Sequence, residues 1–360
     1  MRILIANPFG IGDVLFSLPL VRALREAEKN SSIGYLCNRR TEELVAAWPE
    51  LDWCLTFEKD EFRAALRDSK MKGIRFLNRT LRAIRKERFD LLIDLSLGWH
   101  TGFAGILCGI PRRVGFNFHG RGKFLTRAVP LNGFSGRPVT EHYLDLLEPL
   151  EIARPAAVST EIKLPERIEE ETRHYLENQG LNPSVRMAGI VPGGGASWGP
   201  NAVYKQWPAE RFALAADHLA RRGDQILLIG DARELPLCRA VADRMSHPPR
   251  LIVQTPSLLL LAGLLRRCEI VIGNDGGTLH LAAAVGTPTV SIFGPVDPTV
   301  YGPQSGGPSH RVVSKTLACR PCYRSFRFPP CPWENACLKD LEVAPVTEAA
   351  DDLLKQGANR

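Results

Sequence analysis

The chain reads as an α/β protein built from two doubly wound parallel sheets. Three observations predict this. Apolar runs of strand length recur at residues 2–6, 33–37, 91–95, 187–191, 225–229, 268–272 and 289–293, and continuous apolar runs mark strands buried on both faces. Helix-forming segments lie between them, which implies βαβ units with helices on both faces of each sheet. At 360 residues the chain also exceeds what one hydrophobic core usually organises, so two domains are expected, at 1–165 and 166–345.

The elements follow in order. Residues 2–6 (Arg-Ile-Leu-Ile-Ala) form the first strand, followed by a Pro8-Phe9-Gly10-Ile11-Gly12 loop. A helix is expected from about residue 13 to 28, kinked at Pro19. After the strand at 33–37 comes a basic helix over 75–88, then the strand at 91–95. Residues 111–138 are rich in Gly, Arg and Phe with little periodicity, so they are expected as loops around a binding face. A polar helix over 165–179 stops at Gly180 and leads into the second domain. There the strand at 187–191 runs into Pro192-Gly193-Gly194-Gly195, and Trp207-Pro208-Ala209 opens a helix that stops at Gly223. Gly230-Asp231 stands at the end of strand 225–229, where open α/β sheets bind ligands. Residues 348–355 form a terminal helix.

Charge is uneven. The net charge is +7, yet residues 63–127 alone hold 15 Lys/Arg against 4 acids, so the rest is slightly acidic. A basic excess in one half points to an anionic partner such as phosphorylated lipid, a membrane surface or nucleic acid; the plain alternative is a solvated helix face. No apolar window of 18 residues predicts a transmembrane helix. Asn7, Pro8, Gly10, Gly12 and Asp13 interrupt the apolar start too early for a signal peptide, so a cytoplasmic protein with reduced cysteines is expected.

The richest stretch is residues 273–295, GNDGGTLHLAAAVGTPTVSIFGP. A strand ends, Gly276-Gly277 turn the chain, and a helix begins. The glycine pair lets the backbone approach a ligand, and the free N–H groups of the helix's first turn attract an anion. Any tight βα turn would look similar. Asp13, behind two glycines at a strand tip, suits both a catalytic base and a helix cap. Lys205 is placed to reach a diphosphate, Glu234 to accept from ribose hydroxyls and His280 to donate to a phosphate. Their plain readings are a surface lysine, a first-turn carboxylate and a packed helix histidine. Cys319, Cys322, Cys331 and Cys337 are spaced C-x2-C-x8-C-x5-C, which leaves free thiols and a structural metal site both open. Gly10-Ile11-Gly12 lacks the third glycine of a dinucleotide fingerprint, having Leu15 there, and Arg39-Arg40 after strand 33–37 leave an NADP enzyme as a remaining alternative.

Together these segments resemble the ADP-heptose:lipopolysaccharide heptosyltransferases of glycosyltransferase family nine. Ile11-Gly12-Asp13-Val14-Leu15 with Pro19-Leu20 and Ala23-Leu24 is similar to the family's opening motif. Pro192-Gly193-Gly194 and Lys205-Gln206-Trp207-Pro208 resemble its donor-side loop and lysine, and Gly230 with Glu234 its ribose site. Residues 275–280 and 282–298 match most closely, although Gly276 and Thr278 depart from the usual Asp-Thr-Gly-Pro-Met-His wording.

The resemblance implies a GT-B architecture, two Rossmann-like domains facing across a cleft. Residues 1–165 would bind the acceptor and 166–345 the nucleotide sugar, with the helix at 346–360 packing back on the first domain. It implies inverting, metal-independent transfer of a heptose or related sugar from an ADP-sugar, with no cofactor. Asp13 would be the base, and Lys205 with the N–H groups of residues 276–278 would stabilise the leaving diphosphate. Implied donor contacts are Gly12, Gly193, Gly194, Lys205, Glu234, Asp275, Gly276, Gly277, Thr278 and His280. Arg112, Arg113, Arg121 and Lys123 would face phosphorylated lipid A and Kdo, with the protein peripheral on the inner face of the inner membrane and no nucleic-acid partner. Two other readings stay open: a nucleotide-sugar epimerase or GT-B enzyme with another donor, and a non-enzymatic anion-binding scaffold.

Overall fold

Two six-stranded sheets organise the chain, and every strand pairing within them is parallel. The structure, a computed structural model, describes residues 1–182, 184–254, 257–303 and 309–358. Two compact units divide it: Met1–Phe134 with Val139–Val158, and Ser135–Pro138 with the chain from Ser159 onward. The division thus falls a few residues before the expected 165/166.

The first unit runs β1 (Arg2–Ala6), α1 (Ile11–Phe16), α2 (Leu18–Ala27), β2 (Ser32–Cys37), α3 (Arg39–Ala46), β3 (Trp53–Thr56), α4 (Lys59–Asp68), α5 (Lys70–Lys86), β4 (Leu91–Asp94), α6 (Trp99–Leu107), β5 (Arg112–Phe118), β6 (Arg127–Leu131) and α7 (Val139–Leu144). Its strand order is β3-β2-β1-β4-β5-β6. The chain starts in the middle, winds outward one way, then returns to wind the other, which is the Rossmann order. β1 and β4 meet at the reversal, with Ala6 beside Asp94.

The expected helix over 13–28 is two helices. They break at Ser17, whose hydroxyl donates to the Val14 carbonyl at 2.7 Å and shares a 2.7 Å hydrogen bond with the Tyr35 hydroxyl. Pro19 sits in the first turn of α2, where its missing N–H costs nothing. Residues 111–138 are not only loops, for β5 and β6 lie there. In β5, Val114, Phe116 and Phe118 alternate inward while Asn117 is exposed. That period-2 pattern was hidden by arginines and a glycine. β6 is the sheet's edge, which tolerates Pro130.

The second unit runs α8 (Glu166–Asn178), β7 (Met187–Val191), α9 (Ala209–Ala220), β8 (Gln225–Ile229), α10 (Leu235–Ala242), β9 (Leu251–Val253), α11 (Leu258–Arg267), β10 (Ile270–Asn274), α12 (Gly277–Ala284), β11 (Thr289–Ile292), α13 (Pro298–Tyr301), β12 (His310–Val313), α14 (Ala336–Lys339) and α15 (Ala344–Ala358). Its order, β12-β11-β10-β7-β8-β9, repeats the first, with the reversal between β7 and β10.

The terminal helix α15 lends one stripe to the second unit. Val346, Ala350 and Leu353 recur at i, i+4 and i+7 and bury one stripe of α15 in the core of the second unit, with Phe212, Ile272, Val290 and Val313. Asp351 on α15 also pairs with His218 of α9 at 3.0 Å. Among the described residues no helix is long and apolar enough to cross a membrane.

Candidate active site

In open α/β sheets ligands bind beyond the strand ends at the reversal point, and each unit places its motif residues there. In the second unit, β10 ends in Asn274, whose side chain is fully buried. Its amide donates to the Pro192 carbonyl at 2.7 Å, and its oxygen accepts from the Trp207 N–H at 3.0 Å. One side chain thus ties together the loop after β7, the segment carrying Lys205, and the start of the 275–280 turn. Trp207 is anchored in turn: it is 1% exposed, its indole N–H donates to the Leu341 carbonyl at 2.9 Å, and its ring meets Phe212 edge-on.

Lys205 is not a surface lysine. Its ammonium lies 2.6 Å from Asp275 Oδ2, and both side chains are buried. The other Asp275 oxygen faces His280 Nε2 at 3.5 Å. Burial alone would raise the Asp275 carboxyl, but Lys205 and His280 outweigh it and hold it below the ordinary carboxylate range. Asp275 therefore fixes a cation and an imidazole beside the N-terminus of α12.

Gly276 caps α12 with an extended backbone, and Leu279 and His280 return their N–H groups to its carbonyl. A Cβ at Gly276 would meet nothing nearer than 3.7 Å, which leaves room for a methyl group there. The same built atom lies 3.9 Å from the Gly195 nitrogen, so the two glycine turns sit side by side. Gly277 and Thr278 occupy the first turn of α12, where N–H groups lack intrahelical acceptors.

Gly193 lies directly against the Glu234 carboxylate. A Cβ there would lie 2.0 Å from Glu234 Oε1. The Glu234 carboxylate accepts the Gly195 N–H at 3.2 Å and the Asp231 N–H at 3.3 Å. Burial raises its pKa, against the pull of those hydrogen bonds. Gly194 abuts the Ala202 carbonyl in the same way. Gly193, Gly194, Lys205, Glu234, Asp275, Gly276, Gly277, Thr278 and His280 therefore gather at one sheet edge.

In the first unit Gly10, not Asp13, caps α1, and Asp13 is the helix's third residue. Asn7 is fully buried, donates to the Asp13 carbonyl at 3.1 Å and receives the Phe9 N–H at 3.4 Å. Asn38 caps α3 and donates to the Phe9 carbonyl. The two asparagines hold the turn from the end of β1 into α1, the helix that carries Gly12 and Asp13. Asp94 ends β4 alongside, and burial pushes its carboxyl up to about 6. Asn7, Asn38, Asp94 and Asn274 were not singled out as site residues, although an asparagine or aspartate directly after an apolar run was visible.

The four arginine and lysine candidates separate. Arg112 and Arg113 begin β5, so they stand at the sheet edge opposite the strand ends. Arg113 spends its guanidinium on the carbonyls of Phe124, Ile110 and Pro111. Arg121 and Lys123 follow β5, with Arg121 over the Phe118 ring and Lys123 over those of Trp99 and Phe124.

Cys319, Cys322, Cys331 and Cys337 line one cavity of about 20 Å3 with Tyr204 and Phe328. Among the described residues no group of three or more His, Cys, Asp or Glu is placed to hold a metal ion, and the thiols are free.

Two Rossmann-order units with glycine-turn sites at their reversal points define a GT-B type protein. The family Glycosyltransferase family 9 (heptosyltransferase) matches residues 77–328. The chain is 24% identical over 312 residues to lipopolysaccharide heptosyltransferase 2 of Escherichia coli K12, covering 85% of this chain and 86% of the relative. The structure of E. coli ADP-heptose lps heptosyltransferase II aligns with a TM-score of 0.77 at 21% identity, over 99% of this chain and 100% of that one. A family 9 glycosyl transferase from Veillonella parvula aligns at 0.81 and 23% identity, over 99% and 97%. The chain belongs to glycosyltransferase family 9. It is a glycosyl-transferring enzyme, and neither the epimerase nor the scaffold reading is favoured.

Proposed function

We propose that this enzyme transfers a heptose from ADP-heptose to the inner core of lipopolysaccharide. The observation that carries the reading is the buried Lys205–Asp275–His280 group beside the α12 N-terminus, in a chain matched by family 9 over residues 77–328. Relatives named as lipopolysaccharide heptosyltransferases supply the sugar and the acceptor, and the structurally similar ADP-heptose lps heptosyltransferase II of E. coli supplies the nucleotide.

In this reading the second unit binds the donor. The diphosphate lies against the N–H groups of Gly276, Gly277 and Thr278 and the Lys205 ammonium, which stabilise its charge as the bond breaks. The open space at Gly276 suits close approach by a phosphate. Glu234 and the 193–195 loop take the ribose. The first unit takes the acceptor, with Asp13 as base and Arg121 and Lys123 toward phosphorylated lipid A and Kdo, while Gly12 beside Asp13 contributes to donor binding. Arg112 and Arg113 stand at the opposite sheet edge, where β5 begins. The acceptor hydroxyl gives its proton to Asp13 and its oxygen bonds the anomeric carbon. The bond from that carbon to the diphosphate breaks, and ADP leaves with the electron pair. Attack opposite the leaving group inverts the centre. The protein would work peripherally on the inner face of the inner membrane.

A thermal-shift series with ADP, UDP and dTDP tests the donor. Selective stabilisation by ADP supports it, and stabilisation by UDP instead changes it. Transfer from ADP-heptose should vanish in Asp13→Ala while ADP still stabilises the variant. Retained turnover removes Asp13 as base.

A further inference from the structure

α6 is turned with its small residues inward and its large ones outward. A Cβ on Gly105 would lie 2.9 Å from atoms of Leu92 and Arg113, and one on Gly102 would lie 3.3 Å from Phe124. These two glycines let the helix lie close to the structure beneath it. Trp99, Phe103, Ile106 and Leu107 point the other way and are 38–43% exposed. Their i, i+4, i+7, i+8 spacing places them on one face. Phe124 extends the patch, its ring 5.1 Å from Phe103 and 5.9 Å from Trp99. A water-facing helix normally shows the reverse arrangement, and a contiguous exposed apolar patch marks an interaction surface.

Cations border this patch. The Lys123 ammonium sits 4.9 Å from the Phe124 ring centre, and Arg85 donates to the Leu107 carbonyl. Arg85 belongs to α5, whose sequence KMKGIRFLNRTLRAIRK holds seven bases and no acid. α6 itself carries no Asp, Glu, Lys or Arg. We propose that the outer face of α6, with Lys123 and the bases of α5, docks the first unit on an anionic lipid bilayer. Aromatic and aliphatic side chains enter the headgroup boundary while Lys and Arg meet lipid phosphates. A second copy of the chain fits less well. A two-fold contact repeats one patch on both partners, and would set these bases against each other. The inference rests on the reading above only in that the acceptor there is membrane-borne.

The test uses the full chain and sedimentation with vesicles. Vesicles of phosphatidylethanolamine and phosphatidylglycerol should carry the protein down, and pure phosphatidylcholine vesicles should not. Binding should weaken as salt rises. The double variant Phe103→Glu/Ile106→Glu should lose about tenfold or more in vesicle partitioning, with its thermal shift by ADP unchanged. Phe103→Ser/Ile106→Ser, which adds no charge, should fall in between. Equal partitioning of wild type and variants overturns the proposal. So does a wild type that ignores anionic vesicles, or one that forms a dimer broken by these substitutions without binding lipid. If vesicles bind as expected but ADP gives no shift, the donor reading fails and the docking surface stands.

Discussion

Lys205 and Asp275 form a buried ion pair, 2.6 Å from Nζ to Oδ2, with side chains 3% and 5% exposed. Such a pair is costly to break from one side, because the remaining charge stays buried without its partner. Lys205→Met should cost about 3–5 kcal/mol in urea unfolding and abolish stabilisation by ADP. The sign of the pH effect follows from the lowered Asp275 carboxyl. Between its folded value and the unfolded ~3.9 the unfolded chain binds more protons, so stability is full above ~3.9 and is lost as pH falls through the folded value. Asp275→Asn should flatten that acid limb. An unchanged limb would mean that the pair does not hold the carboxyl down.

Gly193 and Glu234 make a second relationship open to test. A methyl group at 193 would lie 2.0 Å from Oε1, so Gly193→Ala must displace the carboxylate or the loop. Overpacking of this kind costs about 1–3 kcal/mol. The larger effect should fall on the donor: ADP affinity measured by calorimetry should drop about tenfold or more, the equivalent of ~1.4 kcal/mol. Wild-type affinity in the variant would place the nucleotide away from Glu234.

Much of this was legible in the chain because the signals are local. Apolar runs such as residues 187–191 and 225–229 coincide with β7 and β8, since a strand buried on both faces has no polar alternation to confuse it. The glycine turns stood out because few residues replace glycine at a close backbone approach, as at Gly194, where a Cβ would lie 2.3 Å from the Ala202 carbonyl oxygen. What stayed hidden depends on contacts far apart in sequence. Nothing near Lys205 shows that it meets a carboxylate 70 residues on. Asn274 reads as an ordinary turn residue until its partners, Pro192 and Trp207, are known. α15 is periodic, but the sheet it packs on, β10–β12, is not encoded locally. β5 was missed because Arg112, Arg113 and Gly115 mask its alternation.

Asn274 should therefore be sensitive to the loss of either half of its amide. Asn274→Asp keeps an acceptor for the Trp207 N–H but sets a carboxylate oxygen against the Pro192 carbonyl. Asn274→Leu leaves both backbone groups buried and unpaired, at about 1–3 kcal/mol each. Both variants should lower the unfolding midpoint in urea and weaken ADP binding together, because one side chain braces both glycine-loop and lysine segments. Loss of stability with full ADP affinity would show that the segments are positioned independently.

Asp94 supplies a pH effect of opposite sign to that of Asp275. It is 4% exposed, and its Oδ1 accepts the Ser96 N–H at 2.9 Å, yet burial holds its carboxyl up at about 6. A carboxyl raised in the folded state favours the protonated form there. From the unfolded ~3.9 up to the folded value the native state binds more protons than the unfolded chain, so stability falls as pH rises through that window. The full penalty, on the order of 3 kcal/mol, applies above it. Asp94→Asn keeps an oxygen for the Ser96 N–H and removes the buried charge. The variant should match wild type near pH 4 and exceed it at pH 7 in urea denaturation. A variant less stable than wild type at both pH values would mean that the carboxylate makes contacts worth more than its desolvation costs.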